Sequence, residues 1–118
     1  MIRRFAAPLC WAALIFISSS VPGDSLPSPG LPHLDKVAHA AGYAVLAWLL
    51  ARAMGAATRT GLIAATLIAT LWGVTDEVHQ TFVPGRDPDV RDAIADTLGA
   101  LCGALVWKAA TRSRSGRS

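Results

Sequence analysis

Four apolar runs, each close to the length that crosses a bilayer, limit what this chain can become. A spanning helix needs about 20 mostly apolar residues, somewhat fewer where flanking charged side chains snorkel to the interface. Residues 5–21 form the first run, 37–57 the second, 61–79 the third and 91–110 the fourth. His39 and Arg52 interrupt the second. The third passes into the polar stretch Thr75-Asp76-Glu77-Val78-His79-Gln80, and Asp96 shortens the clean apolar part of the fourth to residues 97–107. In 118 residues that are 53% hydrophobic, with mean hydropathy +0.42, such runs predict one all-α, polytopic membrane domain, a bundle of four transmembrane helices.

The connections are marked by turn chemistry. Pro22, Pro27, Pro29 and Pro32 make residues 22–34 an ordered but irregular loop, because proline fixes φ and removes a donor. Residues 56–60 read as a short turn. Pro84-Gly85 is a type II turn pair, and Asp87 before Pro88 predicts a capped helix start. Residues 111–118 read as a flexible tail. Cys10 and Cys102 each sit in an apolar run, where a thiol acts as a small buried hydrophobe and suggests neither a disulfide nor a CxxC metal site.

Charge orients the bundle, since Lys and Arg concentrate in cytoplasmic loops. With both termini cytoplasmic, Arg3, Arg4, Arg52, Arg59, Lys108, Arg112, Arg114 and Arg117 lie inside, against Lys36, Arg86 and Arg91 outside. Every acid then lies outside: Asp24, Asp35, Asp76, Glu77, Asp87, Asp89, Asp92 and Asp96, together with His33, His39 and His79. The expected location is a bacterial plasma membrane, with the polar groups extracytoplasmic. A net charge of +3 and a pI of about 9.4 reflect this topology rather than nucleic-acid binding, because no helix carries a basic face. The first run has a second reading as a cleaved signal peptide, with Arg3-Arg4 as n-region, residues 9–17 as apolar stretch and Ser18 to Ser20 as the cleavage region.

An ionisable side chain at the centre of a span costs about 2.5–3.5 kcal/mol on insertion scales, so these groups need partners or water. Asp35, His39 and Tyr43 repeat at four-residue spacing on one face of the second helix, with Lys36 beside them. Asp76 and Gln80 share a face at the end of the third, with Glu77 and His79 on adjoining faces. Asp92 and Asp96 share one at the start of the fourth. Small residues mark where helices approach: Ala65, Ala69 and Gly73 lead to Glu77, while Gly99 and Gly103 form a G-x-x-x-G in line with Asp92 and Asp96. That motif serves either packing inside the bundle or a homodimer. A polar cluster shared by the second, third and fourth helices follows, with Arg86 as its counter-charge. Asp87 and Asp89 read as caps, and Trp48, Trp72 and Trp107 as packing or interface anchors.

Read in order, Asp35-Lys36-x-x-His39-x-x-x-Tyr43, then Asp76-Glu77-x-His79-Gln80 followed by Pro84-Gly85-Arg86, then Asp92-x-x-x-Asp96-Thr97-x-Gly99 resembles the VanZ-like family of bacterial membrane proteins over residues 35–107. Where that family's last motif often has Asn, this chain has Asp96, whose added charge favours a cation or a shared proton. The resemblance implies a membrane protein of the cell envelope, in a family named from a member associated with resistance to the glycopeptide antibiotic teicoplanin.

Three functions compete. In the first, the polar face binds or modulates a lipid-linked envelope component at the outer leaflet, with Lys36, Arg86 and Arg91 meeting phosphate or carboxylate, and Tyr43 and Gln80 bonding the head group. In the second, the chain is a membrane-embedded hydrolase of a lipid-linked phosphate or ester. His39, Glu77 and His79 would hold a divalent metal, or His79 would act as general base oriented by Asp76; the sequence itself requires no cofactor. The third, a proton or ion pathway, is disfavoured because the inner halves of the runs carry no acid or histidine.

Overall fold

The computed structural model describes residues 2–22 and 34–116, with the side chains of Leu34 and Asp35 outside that set. The proline-rich connection that follows Pro22, including Asp24 and His33, also lies outside the described residues. A 3-10 turn at Ile2–Phe5 leads into α1 (Ala6–Ser19), followed by α2 (Leu34–Met54), α3 (Arg59–Gln80) and α4 (Val90–Ser115). The described residues are all-helical, and all four helices, the first counted with its 3-10 turn, are long and apolar enough to cross a membrane. The 22 residues of α3 rise about 33 Å, matching a hydrocarbon core of about 30 Å.

Local chemistry sets the helix ends. α2 stops earlier than the apolar run because Gly55, at φ 61°, accepts the left-handed conformation of a Schellman cap. The Ala56 N–H bonds Ala51 O and the Gly55 N–H bonds Arg52 O. α3 starts earlier than the run because Thr58 caps it, its hydroxyl accepting from the Gly61 N–H at 3.1 Å. The expected type II turn forms at Pro84-Gly85, with Gly85 at φ 74° and the Arg86 N–H on Val83 O. α4 begins later than Asp87-Pro88 predicts, because Asp89 is the cap and accepts from the Arg91 N–H. That bond holds the exposed Asp89 carboxyl below its usual pKa. At the other end α4 continues through Ser115, into the stretch read as a tail.

α2 and α4 run parallel and make the most extensive contact. Ala40 lies opposite Gly99 and Ala44 opposite Gly103, and one turn further Trp48 meets Trp107 edge to face at 5.9 Å. A Cβ at Gly99 would run into the Ala40 carbonyl, and one at Gly103 into the Ala44 carbonyl. The G-x-x-x-G stripe is thus buried inside the chain against α2, the packing use that the sequence offered beside a homodimer contact. The α3 stripe behaves as expected: Ala65, Ala69 and Gly73 are buried.

The core is built of small residues, with Ala47, Ala51, Ala65, Ala69 and Ala100 fully enclosed around Leu46 and Tyr43. The large aliphatic residues instead face outward, among them Leu67, Leu71, Leu98 and Val106. This inversion of the soluble pattern suits a lipid solvent, where close backbone packing, rather than expulsion of water, holds helices together. It also explains why Cys10 and Cys102 are exposed rather than buried: the outer face of a span is itself apolar. Each tryptophan other than Trp48 anchors a neighbouring backbone through its indole N–H: Trp11 to Gly42 O, Trp72 to Ala12 O and Trp107 to Ala56 O. Trp48 stacks under Arg52 at 5.6 Å.

Gly99→Ala and Gly103→Ala are each expected to destabilise the bundle by about 1–3 kcal/mol, since backbone rather than a flexible side chain blocks the new methyl. Gly42→Ala, where a Cβ meets nothing within 4 Å, serves as the matched control. Thermal unfolding in detergent, followed by tryptophan fluorescence, checks both; equal midpoints for all three variants would contradict the α2/α4 contact.

Candidate functional site

Helix polarity brings the acidic segments together. The ends of α1 and α3 and the beginnings of α2 and α4 meet at one end of the bundle, while Arg3, Arg4 and Arg52 line a small cavity at the other. The polar end holds Lys36, His39 and Tyr43 from α2, Asp76, Glu77, His79 and Gln80 from α3, and Asp92 and Asp96 from α4. Asp35 belongs to the first turn of α2; its side chain is not among those described.

At the centre, His39 Nδ1 lies 3.0 Å from Asp96 Oδ1, across the α2/α4 contact. Glu77 joins them from α3: one donor atom from each of His39, Glu77 and Asp96 falls within 4.8 Å of the others. Gly73 makes room for this meeting. A Cβ there would stand 3.1 Å from Asp96 Oδ2 and 3.3 Å from the Tyr43 ring. Asp96 and Tyr43 are each 1% exposed. Asp96 Oδ2, both Glu77 carboxylate oxygens, Asp76 Oδ1 and the Tyr43 hydroxyl are buried and take part in no hydrogen bond among the described residues. Buried polar atoms are normally paired, so such a concentration of open acceptors marks a functional surface more readily than a folding device.

A second group ties α1 into the site. Asp76 Oδ2 accepts from Ser19 Oγ at 2.5 Å and from Gln80 Nε2 at 3.3 Å, and Gln80 Nε2 also reaches Ser19 Oγ at 3.2 Å. His79 stands apart from His39, stacked on Phe16 at 4.3 Å with Nε2 2.9 Å from Ser20 Oγ. The expected sharing of one metal by Glu77 and His79, and the orientation of His79 by Asp76, are therefore not what the structure brings together. Residues two apart on a helix point to nearly opposite sides, so Glu77 turns toward α2 and α4 while His79 turns toward α1. Asp96 takes the place expected of His79.

The basic residues also differ from expectation. Lys36 Nζ pairs with Asp92 at 3.2 Å and Asp89 at 3.6 Å, closing the rim between α2 and α4. Arg86 donates from Nε to Val21 O at 2.9 Å and from Nη2 to Ser18 O at 2.7 Å. It is a cationic cap on the carbonyl end of α1, where the helix dipole favours positive charge, and not the counter-charge of the carboxylates. Ser19, Ser20 and Phe16 were missed from sequence because the first run reads as a membrane span or a signal peptide, with Ser18 to Ser20 as its cleavage region. The Ser18-Ser19-Ser20 run at the level of the acids is the signal that marked them.

Beside the cluster, a half-open cleft of about 460 Å³ runs between α1 and α2. Trp11, Leu14 and Ile15 form its apolar wall, and Ser19, His39, Tyr43 and Asp76 its polar end.

Arg86→Ala is expected to lower stability by about 1–3 kcal/mol through loss of charge-assisted bonds to α1, with Arg86→Lys recovering only part because one ammonium cannot span both carbonyls. Chemical unfolding of the purified variants measures this; an unchanged midpoint in Arg86→Ala would remove the capping role.

No curated protein and no solved structure matches the chain. A family model does, that of VanZ/LLP1, and it extends over residues 5–111. That interval includes α1 and the four-helix arrangement that converges on His39, Glu77 and Asp96, so the chain belongs to the VanZ/LLP1 family.

Proposed function

We propose that this multi-pass membrane protein binds or modulates a lipid-linked component of the bacterial cell envelope, taking its head group at the extracytoplasmic end of the bundle. The observation that carries this reading is the α1/α2 cleft, apolar along Trp11, Leu14 and Ile15 and polar at Ser19, His39, Tyr43 and Asp76. An amphiphile is complementary to such a surface: a chain segment lies along the wall, hydroxyl or amide groups donate to the open carboxylate oxygens, and a phosphate oxygen accepts from the Tyr43 hydroxyl. The segregation of Arg3, Arg4, Arg52, Arg59, Lys108, Arg112 and Arg114 to the opposite end supports a plasma-membrane orientation with cytoplasmic termini. α1 is retained in this reading, since Ser19 and the Arg86 contacts belong to the site. A role in teicoplanin-type glycopeptide resistance would follow from sequestering a lipid-linked wall component.

A membrane-embedded hydrolase acting on the same ligand class is the second reading, favoured by the imidazole–carboxylate pair of His39 and Asp96. Release of inorganic phosphate from a polyprenyl phosphate, lost in His39→Ala, would support it over simple binding.

For the binding reading, purified protein in nanodiscs is titrated with a polyprenyl phosphate and, in parallel, with a neutral diacylglycerol. Preferential binding of the phosphate lipid is expected, weakened about 2- to 10-fold by Tyr43→Phe, the worth of one hydrogen bond, and similarly by Ser19→Ala, which leaves Asp76 Oδ2 without its donor beside the head group. In cells, a cysteine placed at the exposed Phe82, with Cys10 and Cys102 replaced by serine, is expected to react with an impermeant maleimide from outside, and one at Ser113 is not. Lipid binding that ignores both site variants, or the reverse labelling pattern, would overturn this reading.

A further inference from the structure

A carboxylate held away from water lowers its free energy by taking a proton or by meeting a cation. At the rim the second solution is visible, in Lys36 between Asp92 and Asp89. One turn deeper, Asp96 and Glu77 have no such partner among the described residues except His39, and the guanidinium of Arg86 is turned to main-chain carbonyls. Asp96 uses Oδ1 on His39 and leaves Oδ2 open, although it is almost wholly buried. Glu77 leaves both oxygens open.

We propose that His39, Glu77 and Asp96 together bind one divalent cation of the Zn²⁺ or Mn²⁺ kind between α2, α3 and α4. Charge selects the valence: two carboxylates and a neutral imidazole are balanced by a +2 ion, while a monovalent ion leaves a buried negative charge. Donor chemistry selects the element. One imidazole nitrogen with two carboxylate oxygens suits borderline metals, whereas Ca²⁺ asks for six or more oxygens and Mg²⁺ for a largely hydrated octahedron. Bonds of about 2.0–2.2 Å put neighbouring donors about 3–3.5 Å apart, so atoms already within 4.8 Å need to close by at most about 1.3–1.8 Å. The flexible Glu77 side chain provides that movement, and the Gly73 surface leaves Asp96 its place.

Three protein donors leave at least one coordination position open. His39 also lines the α1/α2 cleft, so a phosphate oxygen of a lipid head group would enter there. This last clause rests on the lipid-binding reading; the cation site itself rests only on the donor set.

The full chain, purified in nanodiscs of neutral lipid and stripped with a chelator, is equilibrated with Zn²⁺ or Mn²⁺, desalted, and measured by elemental mass spectrometry. About one ion per chain is expected. Asp96→Asn, Glu77→Gln and His39→Ala should each weaken binding at least about tenfold, and His79→Ala should not. Because substitution can impair folding, the unfolding midpoint of the same samples is read with and without metal. The wild type and His79→Ala are expected to rise on metal addition, and the three site variants to stay unmoved. Metal-free wild type, or site variants that bind and respond like the wild type, overturns the cation site. Phosphate-lipid binding that persists in metal-free protein would leave the head-group reading standing without it; metal binding with no lipid preference would do the converse.

Discussion

The contact between the α2 backbone and the two glycines of α4 fixes nearly everything else about the polar end. Gly99 and Gly103 have no Cβ, and in its place each turns a Cα–H toward the carbonyl of Ala40 or Ala44. Two parallel helices pressed that closely cannot slide by a residue, because any larger side chain in the contact would meet main chain. The register thus set places Asp96 against His39 and Asp92 against Lys36 at one end, and Trp107 against Trp48 at the other. The chemistry of the cluster is a consequence of a packing contact that begins less than a turn away, at Ala40 and Gly99.

α3 completes the site by the same device used once more. Gly73 lets Asp96 and the Tyr43 ring come within ordinary contact of the α3 backbone, and one helical turn on, Glu77 enters the space so made. α1 has fewer contacts with the bundle, and its hold is polar where the others are steric. Ser19 bonds to Asp76, Trp11 to Gly42 O, and Arg86 reaches back from the type II turn to the carbonyl end of the helix. These bonds fall at the middle of α1 and at its Ser19 end, and the cleft runs along its side between them and α2.

The spans, the turn at Pro84-Gly85, the small-residue stripes and the gathering of acids at one end were all legible from sequence, because each depends on local composition or helical periodicity. Which polar residues meet was only partly legible. His39, Tyr43, Glu77 and Asp96 converge as their spacing implied. The pairing of Glu77 with His79 contradicted helical geometry from the outset, since an i, i+2 pair cannot face one ligand. Arg86 was less accessible to inference: a lone arginine after a tight turn can neutralise an acid or cap a helix, and only the position of the α1 carbonyls decides. The helix limits shifted for a similar reason, with Thr58, Gly55 and Asp89 overriding the hydropathy edges.

Depth and pairing run in opposite directions at this end of the molecule. The cost of an uncompensated charge rises toward the middle of a bilayer. Stability alone would therefore pair the deepest carboxylates most carefully, or replace them with apolar residues of similar volume. Here the rim is the well-paired region, with Lys36 between two acids and Asp89 capping α4. The deeper Asp96, Glu77 and Tyr43 carry the open atoms. Below Tyr43 the interior passes to Leu46, Ala47 and Leu50, with no acid or histidine to extend a relay. An arrangement costly for folding, confined to one half of the bundle and placed beside a cleft, fits the one-sided binding site proposed above and gives a through-path no continuation.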